Sequence, residues 1–287
     1  KLLITAHFFM FQNRKIAIAT MHGKEKVISP LLEQYFNASC YTVEGLNTDI
    51  LGTFSGEIER VDSPINTLRK KCLMALEKSN HEIVIGSEGS FGTHPIIGFA
   101  HANEELVMLI DIKNNIEIVG SFLSLQTNFN GVNVVSLAEA IEFSKLSLFP
   151  SHALIIRNKE RGSELIYKGI IQMIDFKERV TDALHRYRSI WIETDMRAHL
   201  NPSRLAVIRE ATADLINKMK SNCPSCAVPG FWIAAVNKGL PCSLCNLPTN
   251  STLSHQYICV HCNFEQEQLF PNDRKEEDPM FCNFCNP

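Results

Sequence analysis

Apolar positions in the first 220 residues fall in short runs and helical stripes that alternate along the chain. The run KIAIAT, residues 15–20, is rich in Ile and Ala and predicts a buried strand. The polar stretch MHGKEK leads into a helix expected over 24–36, and 38–43 reads as a second strand. Residues 48–62 are polar with several glycines, which predicts a long loop or irregular hairpin. Pro64 suits the first turn of a helix running to about residue 78. A short strand at 82–86 is expected to break at the turn GSEGSFG. Strands at 105–110 and 116–119 flank a turn at Asn114-Asn115, and 137–146 reads as a helix. A strand at 153–157, helices at 170–188 and 202–220, and the dense polar segment after Trp191 and Ile192 complete the pattern. Strands alternating with helices predict an α/β domain, a mixed sheet flanked by helices, over 1–220. The remainder, 221–287, has a different character and is expected to be a separate cysteine-rich domain.

Composition adds little until the cysteines are counted. Hydrophobic residues make up 45% and charged residues 21% of the 287, which is ordinary globular material. The net charge of -3 gives no electrostatic reason to expect non-specific nucleic-acid binding, so nucleic acid is a disfavoured partner. No apolar run reaches the eighteen or so residues that span a bilayer, so no membrane partner is expected. The apolar segment 2–11 lacks the basic front and cleavage site of a secretory signal and reads as an extension or packed first segment.

Eight of the ten cysteines form four CxxC pairs: Cys223/Cys226, Cys242/Cys245, Cys259/Cys262 and Cys282/Cys285. A CxxC turn offers two thiolates to one ion, and a tetrahedral zinc takes four, so four pairs predict two structural zinc ions. Paired knuckles in an otherwise cysteine-poor chain point to a reducing, cytoplasmic setting. Every coordination position is filled, which leaves none for a catalytic water. Sequential pairing, a double zinc ribbon, is the expected arrangement; cross-braced pairing of the first with the third knuckle is the alternative. His255 and His261 are surplus to the thiolates.

Four polar constellations mark the α/β part. Thr20, His22, Lys24 and Lys26 follow the first strand, where phosphate oxygens would meet backbone and side-chain donors. Glu57, Glu59 and Asp62 precede Thr67, Arg69, Lys70 and Lys71; the acids could hold magnesium or manganese, or the stretch could be a solvated helix face. Ser87, Glu88, Ser90 and His94 surround glycines, and Glu88 is the leading candidate for metal ligand or base. The segment WIETDMRAHLNPSR carries Glu193, Asp195, Arg197, His199, Asn201 and Arg204. Alternation would put Glu193, Asp195, Arg197 and His199 on one extended face, as an ion-pair network or a ligand site, with Asn201 capping the next helix.

The segments KIAIATMHGKEKVISPLL, DSPINTLRKKCLMAL and IGSEG resemble the inosine/xanthosine triphosphatase superfamily. That resemblance implies an α/β nucleoside triphosphate pyrophosphatase using magnesium or manganese. Lys24 or Lys26 would contact phosphates, and Glu88 would hold metal or activate water. The motifs FPSHALIIR and ETDMRAHLNPSR with the cysteine-rich tail resemble, over nearly the full length, an uncharacterised bacterial family of unknown function. The resulting expectation is a metal-dependent nucleotide phosphohydrolase. In it Glu88, Asp195 and His199 are catalytic, Thr20, Lys24, Lys26, Arg69 and Arg197 bind the phosphorylated substrate, and Glu57, Glu59, Asp62 and Glu88 bind magnesium. The alternative is a non-catalytic module that binds a ligand, nucleic acid or protein.

Overall fold

The computed structural model describes residues 10–52 and 61–287. The chain divides into two compact units. One comprises Phe11–Lys113 and Val119–Ile216; the other is built on Asn217–Pro287 with Asn114–Ile118. Among the described residues no helix is long and apolar enough to cross a membrane.

The first sheet contains β1 (Lys15–Ala19), β2 (Ser39–Thr42), β3 (Ile83–Thr93), β4 (His101–Asp111) and β5 (Ile116–Ser124), in the order β2-β1-β3-β4-β5. β1 lies parallel to β2 and β3, whereas β3 and β4 are antiparallel over eleven residue pairs. Ile16 to Ala19 are all buried, as expected of a parallel strand covered on both faces. Helix α1 (Glu25–Phe36) connects β1 to β2, and α2 (Pro64–Ser79) leads into β3. Ser63 caps α2 by accepting from the Asn66 N–H at 3.4 Å, Pro64 opens it, and Asn80 at φ 52° ends it. Its buried stripe, Leu68, Cys72, Ala75 and Leu76, packs on Ala17, Ala19, Val84 and Met108.

The second sheet, β6-β9-β7-β8, is antiparallel throughout. It is formed by β6 (Gly131–Val134), β7 (Leu154–Arg157), β8 (Ile166–Ile170) and β9 (Ile190–Thr194). Helices α3 (Leu137–Leu146) and α4 (Met173–Arg186) pack on it through Phe143, Phe176, Val180 and Ala183. Ser136 caps α3 by accepting from Glu139 N, while the Glu139 carboxylate reaches back to Val135 N. Asn201 caps α5 (Pro202–Lys220), its Oδ1 accepting from Arg204 N at 3.1 Å.

The turn expected at GSEGSFG does not form. β3 runs unbroken to Thr93 because β4 pairs with it residue by residue. Its glycine at 89 serves close approach rather than a bend: a Cβ there would stand 2.6 Å from both the Arg204 guanidinium and Glu105 Oε1.

The smaller unit is a meander of β10 (Phe231–Lys238), β11 (Thr252–Cys259) and β12 (Glu265–Leu269). Most of β10 and all of β12 are exposed. Its apolar centre is small: Phe231 with Tyr257 and Phe264, gathered around Cys223 and Cys259. So little buried surface does not hold a chain of this length without a further tie.

Gly120 on β5 tests how closely the helix and sheet pack. A Cβ there would lie 2.4 Å from Ala211 O and Leu215 N, backbone atoms of α5 that cannot swing aside. Gly120→Ala is expected to lower stability by about 2–3 kcal/mol. Gly92→Ala, which meets nothing within 4 Å, should leave stability unchanged or slightly raised. Urea midpoints of the two variants give the comparison.

Candidate functional site

The four CxxC turns share one geometry. The N–H of the residue after the second cysteine donates to the carbonyl of the first: Ala227, Asn246, Asn263 and Asn286 at 2.9, 2.9, 3.1 and 2.8 Å. Ala227, Asn246 and Asn263 adopt φ of 63°, 58° and 56°, a left-handed conformation that asparagine tolerates well. The recurring asparagine after the knuckle is a sequence signal of this turn. Backbone N–H groups of Ser225, Leu244 and His261 point at the sulfurs of Cys223, Cys242 and Cys259, each at 3.4 Å.

The sulfurs gather as Cys223, Cys226, Cys259, Cys262 and as Cys242, Cys245, Cys282, Cys285, the ligand atoms of each set lying within 4.8 Å of one another. Sγ–Sγ separations are 3.7 Å for Cys223–Cys262, 3.6 Å for Cys226–Cys259, 3.8 Å for Cys242–Cys285 and 3.7 Å for Cys245–Cys282. A tetrahedron with metal–sulfur bonds of about 2.3 Å has edges of about 3.8 Å. A disulfide would bring two sulfurs to about 2.05 Å. Both sets therefore have the shape of a tetrahedral metal site.

The pairing is cross-braced, first knuckle with third and second with fourth, which corrects the sequential expectation. The cause is the β10–β11 hairpin. Phe231, at the start of β10, pairs with Cys259, at the end of β11, so the first and third knuckles share one end of the sheet. The second knuckle follows β10, whose eight residues put it about 26 Å farther along. There it meets the last knuckle through a parallel bridge between Cys242 and Glu277, with Glu277 N donating to Pro241 O at 2.8 Å and Ser243 N to Glu277 O at 3.0 Å. The buried Glu277 carboxylate accepts from Ser251, Arg274 and the Asp278 N–H.

A second centre lies where β3 outruns β1. β1 ends at Ala19, opposite Gly86, so from Ser87 onward β3 has no β1 neighbour. Glu88 faces α2, where its Oε2 meets Lys71 Nζ at 2.5 Å. Glu105, paired across from Gly89 on β4, binds Arg204 of α5 at 2.6 Å on the opposite face. Arg204 also donates to Met196 O at 2.5 Å and lies 5.2 Å over the Phe91 ring. Lys24, just before α1, is 5% exposed, and its Nζ donates to Ser87 O at 3.2 Å. Among the described residues no carboxylate stands within ion-pairing distance of it.

Among the described residues this centre buries three basic groups, Lys24, Lys71 and Arg204, with two carboxylates, Glu88 and Glu105. Burial and then the Arg204 charge push the Lys24 amine down to about 7, with Glu105 and Glu88 opposing. Ser87 Oγ and, on α2, Thr67 Oγ1 are buried with no hydrogen-bond partner among the described residues. Thr20, His22, Lys24, Thr48, Lys71 and Ser87 contribute to the wall of a cavity of about 20 Å³, room for one water or one ligand oxygen.

Thr20 and Lys24 line this cavity together with Lys71, the partner of Glu88. His22 stacks on His199 with ring centroids 5.3 Å apart. Burial first, then the Arg197 charge, pull the His199 imidazole below its usual value, and Asp195 opposes. Asp195 is buried and spoken for: Arg197 binds it at 2.6 Å and Gly169 N at 3.2 Å. Glu193 pairs with Arg157 at 2.7 Å. The single extended face expected for 193–199 is not formed, because β9 stops at Thr194 and the chain turns through a 3-10 helix at Ala198–Leu200. Lys26 is exposed. Arg69 binds Asn66 Oδ1 at 2.9 Å, and Asp62 binds Lys70 at 2.5 Å. Glu57 and Glu59 lie outside the described residues. His94 accepts from Ile96 N and Ile97 N and closes its own loop. Among the described residues, the two cysteine sets are the only groups of three or more His, Cys, Asp or Glu side chains close enough for one ion.

Lys71 and Arg204 stand in two of the polar constellations without an assigned role, and Glu105 stands in none. Lys71 was legible: it follows Thr67 and precedes Ala75 by one helical turn each, on the buried stripe. Glu105 was not, since only the β3–β4 register decides that it, and not Glu104, faces inward.

Two predictions follow from these geometries. Cys226→Ser with Cys259→Ser disables one metal site and should leave one ion per chain, whereas Cys226→Ser with Cys245→Ser should leave none; sequential pairing would reverse the two results. Native mass spectrometry reads the count. Lys24 is depressed from 10.5 to about 7 in the folded chain, so the unfolded chain binds the extra proton between those values. The cost of burying the charged amine is full below pH 7 and fades as pH rises toward 10.5. The stability gained by Lys24→Met should therefore be greatest below pH 7 and shrink with rising pH, as measured by thermal melts from pH 6 to 10.

No curated protein matches the chain in sequence. Residues 71–287 match the family described as Domain of unknown function (DUF6671), a span that takes in Lys71, Glu88, Glu105, Arg204 and all eight knuckle cysteines. Three quarters of the sequence is covered by that match, and the chain belongs to the DUF6671 family.

Proposed function

We propose that this is a ligand-binding protein in which Lys24 holds an anionic oxygen of a phosphorylated small molecule and two zinc ions hold the cysteine-rich unit together. One observation carries the ligand reading: a buried ammonium that, among the described residues, has no carboxylate of its own and lies beside the Ser87 hydroxyl, itself without a partner among them. An anion entering there would accept from both and offset the surplus cation. The segments that resemble the inosine/xanthosine triphosphatase superfamily, KIAIATMHGKEKVISPLL and IGSEG, supply Lys24 and Glu88, which supports a nucleotide as the ligand. Zinc suits four thiolates in a tetrahedron, and a full set of sulfurs makes each ion structural. Reduced thiolates of this kind fit a cytoplasmic protein.

Hydrolysis of the nucleotide with magnesium or manganese is the second reading, and Glu88 favours it: a buried carboxylate electrostatically coupled to Lys24. Glu88 would then exchange Lys71 for the metal and the metal would neutralise phosphate charge.

Titration calorimetry with sulfate, pyrophosphate and ATP tests the binding reading. Lys24→Met should weaken the anions at least tenfold, about 1.4 kcal/mol, while the exposed Lys26→Met changes them by less than about twofold. Sulfate keeps its charge across the range, so its affinity should fall as pH rises through 7 in the wild type and stay flat in Lys24→Met. Absence of anion binding, or equal loss in both variants, removes the proposal. Phosphate or pyrophosphate release that needs Mg²⁺ or Mn²⁺ and is abolished in Glu88→Gln selects the hydrolase reading; binding without release selects the first.

A further inference from the structure

The four CxxC turns provide an internal comparison. Their third positions are equivalent, and three of them show the same N–H to sulfur contact. In the first metal site these positions hold Ser225 and His261; in the second they hold Leu244 and Phe284. The turn itself therefore accepts polar residues there. Yet Leu244 is 72% and Phe284 65% exposed, and Met280 and Phe281, next to Cys282, are 60% and 57% exposed. Two knuckles that share one ion bring these side chains to the same end of the unit. Leu244 and Phe284 stand where Ser225 and His261 serve at the first site, and with Met280 and Phe281 they leave four large apolar groups in water, against Val260 alone in the knuckles of the first site; the cluster marks an interaction surface.

Charge says what covers it. Residues 221–287 carry six Asp and Glu against three Lys and Arg, which accounts for the whole net charge of -3. Four thiolates around a divalent ion add roughly -2 per site, which brings the unit to roughly -7. Asp273, Glu276 and Asp278 are exposed on the segment leading into the last knuckle, against one exposed cation, Lys275, while Arg274 is neutralised by Glu277, so the segment stays acidic. Nucleic acid and anionic lipid are repelled by such a field, and so is a second copy of the same surface.

We propose that the tip of the second metal site, Leu244, Met280, Phe281 and Phe284, docks a cationic amphipathic segment of a partner protein. Apolar side chains of the segment would pack on Leu244 and Phe284, and its lysines or arginines would face the acidic rim. The proposal needs a divalent metal in the cysteine sets and is independent of the anion site at Lys24.

The test exchanges the tip of one site for that of the other. Leu244→Ser with Phe284→His copies Ser225 and His261, so both ions and the fold should be retained, as metal content and circular dichroism report. A random peptide library is panned on the metal-loaded full chain, and the recovered peptides are titrated against wild type and double variant. Peptides that interleave Lys or Arg with aliphatic or aromatic residues, bind about tenfold more weakly to the variant and weaken with salt are the expected result. Peptides without basic enrichment, or equal binding to the variant, overturn the proposal. So would sedimentation showing a wild-type dimer that the double variant dissolves, or salt-sensitive binding of RNA or DNA at the same tip.

Discussion

A strand that continues past its parallel neighbour must find partners for its free edge and for whatever side chains it carries there. β3 meets that requirement over Ser87 to Thr93. β4 covers one edge, and on the other the Ser87 carbonyl takes the Lys24 amine. The polar groups that the strand and its partner bring inward, Glu88 and Glu105, sit on opposite faces and draw Lys71 from α2 and Arg204 from α5. Each pair is dry, so removing either partner would strand a buried charge and cost several kcal/mol. The architecture of the larger unit around its centre, including the glycine at 89 and the capped start of α5, follows from accommodating these two pairs. Among the described residues Lys24 has no carboxylate of its own, which is the observation behind the proposed anion site.

The smaller unit solves a different problem. It has almost no apolar interior, and its outer strands β10 and β12 are largely exposed. Four thiolates gathered at each set would let a metal ion stand in for a core, with apparent folding energy on the order of 10 kcal/mol per site in small modules. Cross-bracing places the two sets at opposite ends of the same hairpin. Each set joins segments more than thirty residues apart, so the two sets close overlapping loops.

Charge is divided between the units in a way that the total conceals. The larger unit concentrates a buried positive surplus at one point, and the smaller one spreads negative charge over a surface. The first arrangement suits a compact anion, the second an extended cationic chain. A net charge of -3 for the whole describes neither.

Much of this was written in local pattern. Apolar periodicity and capping residues located β1, α1, α2, α3 and α5 within a residue or two, because burial of one stripe and satisfaction of helix ends are local requirements. CxxC spacing identified all eight cysteines of the two sets for the same reason: two thiolates from one turn are a local geometry. Thr20 and Lys24 were legible as polar groups after the first strand, whereas Glu88, read as a turn residue, lies in the middle of β3. The pairing of the knuckles was not, since it depends on β10 and β11 running antiparallel, a contact between residues far apart in sequence. The straight course of β3 through its glycines and the inward choice of Glu105 over Glu104 depend on strand register. That Glu193 pairs with Arg157 while Asp195 and Arg197 pair with each other depends on where β9 ends. Local chemistry names the groups that must be buried, bound or capped; which of them meet is decided only when distant segments pack.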